Sequence, residues 1–138
     1  MHEFTTRRRI EFVDTDMGGI VHFSRFFIFM ETAEHQFLEA IGTSVDSELG
    51  GRKIGWPRVS VTCDYKRPAR FGQTLDIHLK VLRKGRRSMT YGFTFSESGR
   101  ELATGRVTAV CCCLEPGKEV TAIPIPDYVA ERISEAPE

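Results

Sequence analysis

The chain has 138 residues, the usual size of one domain and enough to bury a core without disulfides or structural metals. Lys plus Arg and Asp plus Glu each number 19, so the formal charge is zero; no overall field draws the chain to nucleic acid or an anionic membrane, and any basic site must be local. Residues 1–9 lack the apolar region of a signal peptide, and no run approaches the ~20 apolar residues of a membrane helix, which predicts a single domain over 1–138, in the cytoplasm and without a membrane span.

The first predicted element is a strand over 4–13, in which Phe4, Ile10 and Phe12 share a parity that Thr6 and Arg8 interrupt. A segment of polar residues and glycines follows, Asp14-Thr15-Asp16-Met17-Gly18-Gly19. Residues 24–41 then place Phe26, Met30, Ala33, Phe37 and Ile41 at helical spacing, with Phe27 and Leu38 widening the stripe. Ser24 is a candidate N-cap, and Gly42 stands where a C-terminal glycine belongs. The first half of this helix is apolar on nearly all sides (Phe26 to Met30), which suggests a helix surrounded by a curved sheet rather than docked on a flat one.

From Trp56 onward the period becomes two. Val59, Val61, Cys63 and Tyr65 alternate with polar residues up to Pro68. Leu75, Ile77, Leu79 and Val81 alternate up to a turn at Lys84-Gly85, and Met89, Tyr91, Phe93 and Phe95 up to Gly99. A last run extends from Leu102 to Leu114, and the tail over 126–133 reads as a short helix. Short connections between such runs predict a meander of four antiparallel strands. The expected fold class is therefore α+β, one antiparallel sheet with one long helix, a layout that alone names no function. Of the four cysteines, Cys111, Cys112 and Cys113 are adjacent and Cys63 stands apart. On a strand, Cys111 and Cys113 would face one side and Cys112 the other, which suits small core residues better than a metal site or disulfides.

Between a strand and an apolar helix, polar residues lie within reach of helix N-terminal amides, which stabilise negative charge. Acyl transfer needs such donors together with a base or nucleophile, and Asp14 and Asp16 are the only carboxylates of the segment. Residue chemistry alone favours the plainer alternative, two turn-capping aspartates, and does not separate the pair. A calcium loop is a poor match: Gly18 and Arg25 stand where ligands belong.

The run Arg9-Ile10-Glu11-Phe12-Val13-Asp14-Thr15-Asp16-Met17-Gly18-Gly19-Ile20-Val21, with the aromatic helix through Glu31, Trp56-Pro57 and the strands beyond, resembles the 4-hydroxybenzoyl-CoA thioesterase family, including acyl-CoA thioesterases of the Tol-Pal cluster. The resemblance covers nearly the whole chain. It implies a hotdog fold, a five-stranded antiparallel sheet wrapped around the long helix, with edge-to-edge homodimers that often form homotetramers and active sites at the subunit interface. It implies acyl-CoA hydrolysis with Asp16 as nucleophile or general base and the backbone N–H near Phe23 as oxyanion donor. Relatives often carry Tyr or His at position 23, so Phe23 leaves no side-chain acid there. No metal or cofactor is implied, the coenzyme being part of the substrate.

Four further groups are candidates. His22 either orders water or the leaving thiolate, or completes the loop. Glu31 matches a family position near the acyl pocket, and with His35 forms a helical i,i+4 pair. The turn Arg83-Lys84-Gly85-Arg86-Arg87 reads by itself as a solvated hairpin tip, but relatives bind the nucleotide here, and guanidinium groups suit the phosphates of coenzyme A. Arg67 and Arg70 are weaker candidates for the same role. Two other functions share the expected fold: a non-catalytic acyl-CoA or acyl-carrier-protein binding module, which has no need of Asp16, and a dehydratase, whose catalytic histidine motif is missing here.

Overall fold

The computed structural model describes residues 1–138. In chain order the elements are β1 (Glu3–Arg9), a 3₁₀ turn (Phe12–Asp14), α1 (Arg25–Ala40), β2 (Ser47–Leu49), β3 (Arg52–Gly55), β4 (Arg58–Tyr65), β5 (Thr74–Lys84), β6 (Ser88–Glu97), β7 (Arg100–Val110), β8 (Cys112–Leu114), β9 (Thr121–Ala122) and α2 (Asp127–Ala130). Five of the strands make one antiparallel sheet in the order β1-β5-β6-β7-β4, and a smaller sheet has the order β2-β3-β8-β9. No helix is long and apolar enough to cross a membrane.

The period-two runs become the sheet as expected: Leu75, Ile77, Leu79 and Val81 of β5, with Met89, Tyr91, Phe93 and Phe95 of β6, are all buried. Helix α1 lies across this face. Its Phe26 ring meets Phe95 at 5.1 Å and Tyr65 at 5.3 Å, and Phe37 meets Tyr91 at 6.0 Å, each edge-on. Close approach depends on Gly105, where an added Cβ would fall 2.4 Å from Met30 Cε. The helix ends at Gly42 in a left-handed conformation, φ 86°, with Thr43 N–H donating to Leu38 O and Gly42 N–H to Glu39 O, the two bonds of a Schellman motif.

Several expectations are corrected. The first strand stops at Arg9: the chain turns at Phe12–Asp14, so Phe12 and Val13 stand 80% and 66% exposed. Ser24 does not cap α1; its backbone is already helical, and its Oγ lies 2.7 Å from His22 Nδ1. The helix is covered on one side only, with Ile28 42% exposed.

The four later strands are not a meander, since β4 pairs with β7 and β5 with β1. Strands β4 and β5 meet the same end of the sheet, and the 66–73 connection runs across that end beneath β7 and β6. The last run also breaks. Cys111 donates to Arg87 O and accepts from Ile123 N–H, carrying the chain out of the large sheet into the small one. Cys111, Cys112 and Cys113 are all buried and free, as expected of small core residues. The strand at the β4 edge has no neighbour on its outer side and leaves Val59 and Val61 62% and 46% exposed.

Candidate active site

The two aspartates of the Asp-Thr-Asp segment lie in opposite environments. Asp14 is 0% exposed. Its carboxylate accepts from Glu11 N–H at 2.8 Å, Arg25 Nε at 3.0 Å and Arg8 NH2 at 3.3 Å, while its carbonyl accepts from His22 N–H at 2.8 Å. Every acceptor position of the side chain is engaged by charged or backbone donors, as a buried carboxylate requires.

Asp16 is only partly buried. Its Oδ1 takes the N–H of Gly18 at 2.8 Å and of Ile20 at 3.4 Å, the side-chain-to-backbone turn for which Asp is suited. Its Oδ2 has no hydrogen-bond partner in the chain. The loop is closed by Asp16 N–H on Ile20 O and by Val21 N–H on Ala69 O, which sets it against the 66–73 connection.

Between them opens a cleft of ≈ 430 Å³ bordered by Asp16, Ile20, Phe23, Phe26, Tyr65 and Arg67, among others. Phe23 is 62% exposed, and its N–H finds no acceptor within the chain. Its carbonyl is held by Tyr65, whose hydroxyl donates at 2.8 Å. Burial pushes the Tyr65 hydroxyl up to about 12, so it remains a neutral donor at neutral pH. One cleft is thus bordered by a residue with a half-free carboxylate, a residue with an unpaired backbone N–H, and aromatic side chains. Such a set can deliver a base or nucleophile to a carbonyl and accept the charge that develops on its oxygen.

The remaining candidates divide. His22 is exposed and stacks on Phe23 with centroids 4.6 Å apart, its Nδ1 engaged by Ser24; it flanks the cleft without lining it. Glu31 does not pair with His35. Its nearest cation is Arg58, at 3.9 Å, and Arg58 is chiefly the partner of Glu34, whose Oε2 it approaches to 2.8 Å and whose Oε1 it bonds at 3.1 Å. That Oε2 lies off the N–H direction and carries no aligned hydrogen bond. Burial raises the Glu34 carboxyl to about 7 although Arg58 opposes the shift.

Sequence patterning overlooked Glu34. The available signal was its position, four residues after Met30 and three before Phe37, squarely on the apolar stripe. It also overlooked Arg8, Arg25 and Tyr65 as partners of the loop.

The basic turn is not at the cleft. Arg9 pairs with Thr74, the first residue of β5, whereas the turn follows its last, Lys84; at ~3.3 Å per residue the two lie roughly 30 Å apart. Arg83, Arg86 and Arg87 are exposed with no ion-pair partner. Lys84 differs from them: its Nζ donates to Ala130 O at 3.0 Å and Ile133 O at 2.9 Å, tying down the end of α2. A second cleft of ≈ 450 Å³, lined by Ile54, Cys113 and Ile125 among others, opens near this turn, since Ile125 N–H donates to Arg86 O. It is separate from Asp16.

Residues 10–133 match the thioesterase-like superfamily. Among curated proteins, the chain is 28% identical over 112 residues to a 1,4-dihydroxy-2-naphthoyl-CoA hydrolase of Synechococcus elongatus, covering 80% of this chain and 82% of that one. Among solved structures, it superposes on a gentisyl-coenzyme A thioesterase with a TM-score of 0.82 at 30% identity, covering 94% and 98% of the two chains. A 4-hydroxybenzoyl-CoA thioesterase variant solved with 4-hydroxybenzoyl-CoA superposes with a TM-score of 0.83 at 20% identity over 97% and 100%, a likeness of fold.

Proposed function

Because the chain belongs to the thioesterase-like superfamily of hotdog proteins, a family of thioester hydrolases, we propose that it hydrolyses an acyl-coenzyme A to the free acid and coenzyme A at the Asp16 cleft. The observation that carries this reading is the pairing in one cleft of an Asp16 carboxylate with one oxygen unengaged and a Phe23 N–H without an acceptor. The thioester carbonyl seats with its oxygen toward that N–H. Asp16 attacks it directly, giving a mixed anhydride, or removes a proton from an attacking water; either route builds negative charge on the carbonyl oxygen. A single preorganised N–H donor at such an oxyanion is worth about 3 kcal/mol. The thiolate of coenzyme A then leaves and takes up a proton; on the direct route water next hydrolyses the mixed anhydride, which frees the acid and restores the Asp16 carboxylate.

The aromatic walls of the cleft (Phe23, Phe26, Tyr65) and the hydroxylated aromatic acyl groups in the names of the relatives favour an aromatic acyl-CoA. The coenzyme's phosphates are assigned to Arg83, Arg86 and Arg87. Since that turn lies about 30 Å from its own chain's Asp16, the proposal includes a homodimer. Antiparallel pairing of two free β4 edges sets the Arg58 end of one chain beside the Tyr65 end of the other, which brings each basic turn to its neighbour's cleft. Association into tetramers, a cytoplasmic location and catalysis without metal or organic cofactor complete the reading.

The test is thiol release from benzoyl-, short-chain and long-chain acyl-CoAs by wild type, Asp16→Ala and Asp14→Ala. Hydrolysis of aromatic substrates by wild type and its loss in Asp16→Ala are expected; full activity in Asp16→Ala, or none in wild type with any substrate, refutes the proposal. Rapid quenching distinguishes the two routes: an acyl group recovered on the Asp16 peptide marks direct attack.

A further inference from the structure

Resting on the assignment of Asp16 to catalysis, we propose that Asp14 is a positioning residue. With Arg25 and Arg8 it forms a clasp at the base of the 15–24 loop that holds the Asp16 carboxylate and the Phe23 N–H in register. The loop begins at Asp14 and returns to it twice: His22 N–H donates to the Asp14 carbonyl at 2.8 Å, and Arg25, the first residue of α1, donates Nε to its Oδ1 at 3.0 Å. Arg8 reaches both carboxylate oxygens from β1, at 3.3 and 3.4 Å, and its guanidinium lies 4.9 Å from the centre of the Phe29 ring, one helical turn beyond Arg25. Strand, loop and helix are thereby referred to one buried carboxylate.

The clasp is more than filling. A buried ion cluster is seldom more stabilising than apolar residues of the same volume, and its attested advantage is to select one arrangement over its neighbours. The neighbouring arrangements matter here because Asp16 Oδ1 is oriented only by amides of the same short loop, Gly18 and Ile20. If the loop ends spread, Phe23 and Asp16 shift relative to each other. A displacement of an ångström between reacting groups costs on the order of 10²-fold in rate.

The experiment compares Asp14→Asn, Arg25→Gln, Arg25→Lys and the Asp14→Asn/Arg25→Gln double variant by steady-state kinetics and amide hydrogen exchange. Each of the first two lowers kcat by about 10²-fold with KM within about twofold of wild type. The double variant loses no more than the worse single, because both remove one link, and Arg25→Lys retains part of the rate. Exchange at Gly18, Ile20 and His22 accelerates while the β5–β7 core stays protected. Arg25 lies partly at the surface, so its variants carry the test should Asp14→Asn not fold. Wild-type kcat in folded variants, multiplying losses in the double variant, or unchanged exchange in the loop overturns the clasp. Absence of thioesterase activity in wild type would instead sink the Asp16 assignment, and the exchange readout would still decide whether Asp14 holds the loop.

Discussion

The two ends of the sheet contrast in what they leave unpaired. At the Asp16 end, backbone and carboxylate groups lack partners: the Phe23 N–H and one oxygen of Asp16 are unpaired, and both residues border a cleft walled by Phe26 and Tyr65. At the other end, beyond Lys84 and Ser88, the unpaired groups are guanidiniums, those of Arg83, Arg86 and Arg87. One end holds the candidate chemistry with Arg67 on the rim of its cleft, the other a denser cluster of free guanidiniums. The difference teaches that a single copy of this chain holds the Asp16 cleft and the basic turn roughly 30 Å apart, which is why the proposed function joins two copies at the free β4 edge.

The contrast can be broken from either end. Asp16→Asn keeps the size and the loop turn but removes the base; kcat falls by roughly 10³-fold with little change in KM, measured by thiol release. Replacing Arg83, Arg86 and Arg87 with Glu acts the other way. KM for acyl-CoA rises by at least about tenfold while kcat holds, and the penalty shrinks as salt is added. A change in kcat alone would remove the turn from the coenzyme's path.

Lys84→Met sharpens the division within the turn. Because Lys84 is spent on Ala130 O and Ile133 O, its loss costs about 1–3 kcal/mol in urea unfolding and leaves KM unchanged. Glu34 adds a dependence on pH. Its carboxyl moves from an ordinary 4.5 to about 7 on folding, chiefly through burial, so between those values the folded chain holds a proton that the unfolded chain releases. Stability therefore declines as pH rises from about 4.5 to about 7 and levels off above. Glu34→Gln flattens that decline; an unchanged pH profile of the urea midpoint would show that Arg58 keeps Glu34 ionised throughout.

Much of the scaffold was legible because it follows one period at a time. The α1 stripe and the alternation of β5 and β6 survive in the fold with their faces as expected. What failed were decisions made at long range. Phe12 keeps the parity of Ile10, yet it turns outward because Asp14 must be buried against Arg8 and Arg25, partners that no local pattern reveals. The pairing of β4 with β7 was missed since an ordinary loop, 66–73, can pass beneath two strands when both of its ends meet the same end of the sheet. The two- to four-residue strands of the small sheet are too short to show a period at all.

At the site, residue chemistry left the two aspartates unresolved and the resemblance pointed to Asp16, which borders the cleft while Asp14 is buried. Glu31 was singled out although its neighbour Glu34 is the buried one, because amphipathic reasoning treats a charge on the stripe as an interruption rather than as a partner for Arg58. The Arg83–Arg87 charges were legible as a cluster. Their distance from Asp16 was not, since separation along a sheet depends on strand order.

Subunit complementation tests the division between the two ends most directly. Asp16→Asn chains, mixed with chains carrying Glu at 83, 86 and 87 and refolded together, form mixed dimers in which one cleft combines an intact Asp16 with the intact turn of its neighbour. Activity returning at subsaturating acyl-CoA to roughly a quarter of wild type, the share of restored clefts under random pairing, is predicted. A mixture no more active than the average of its two parents would contradict the shared site.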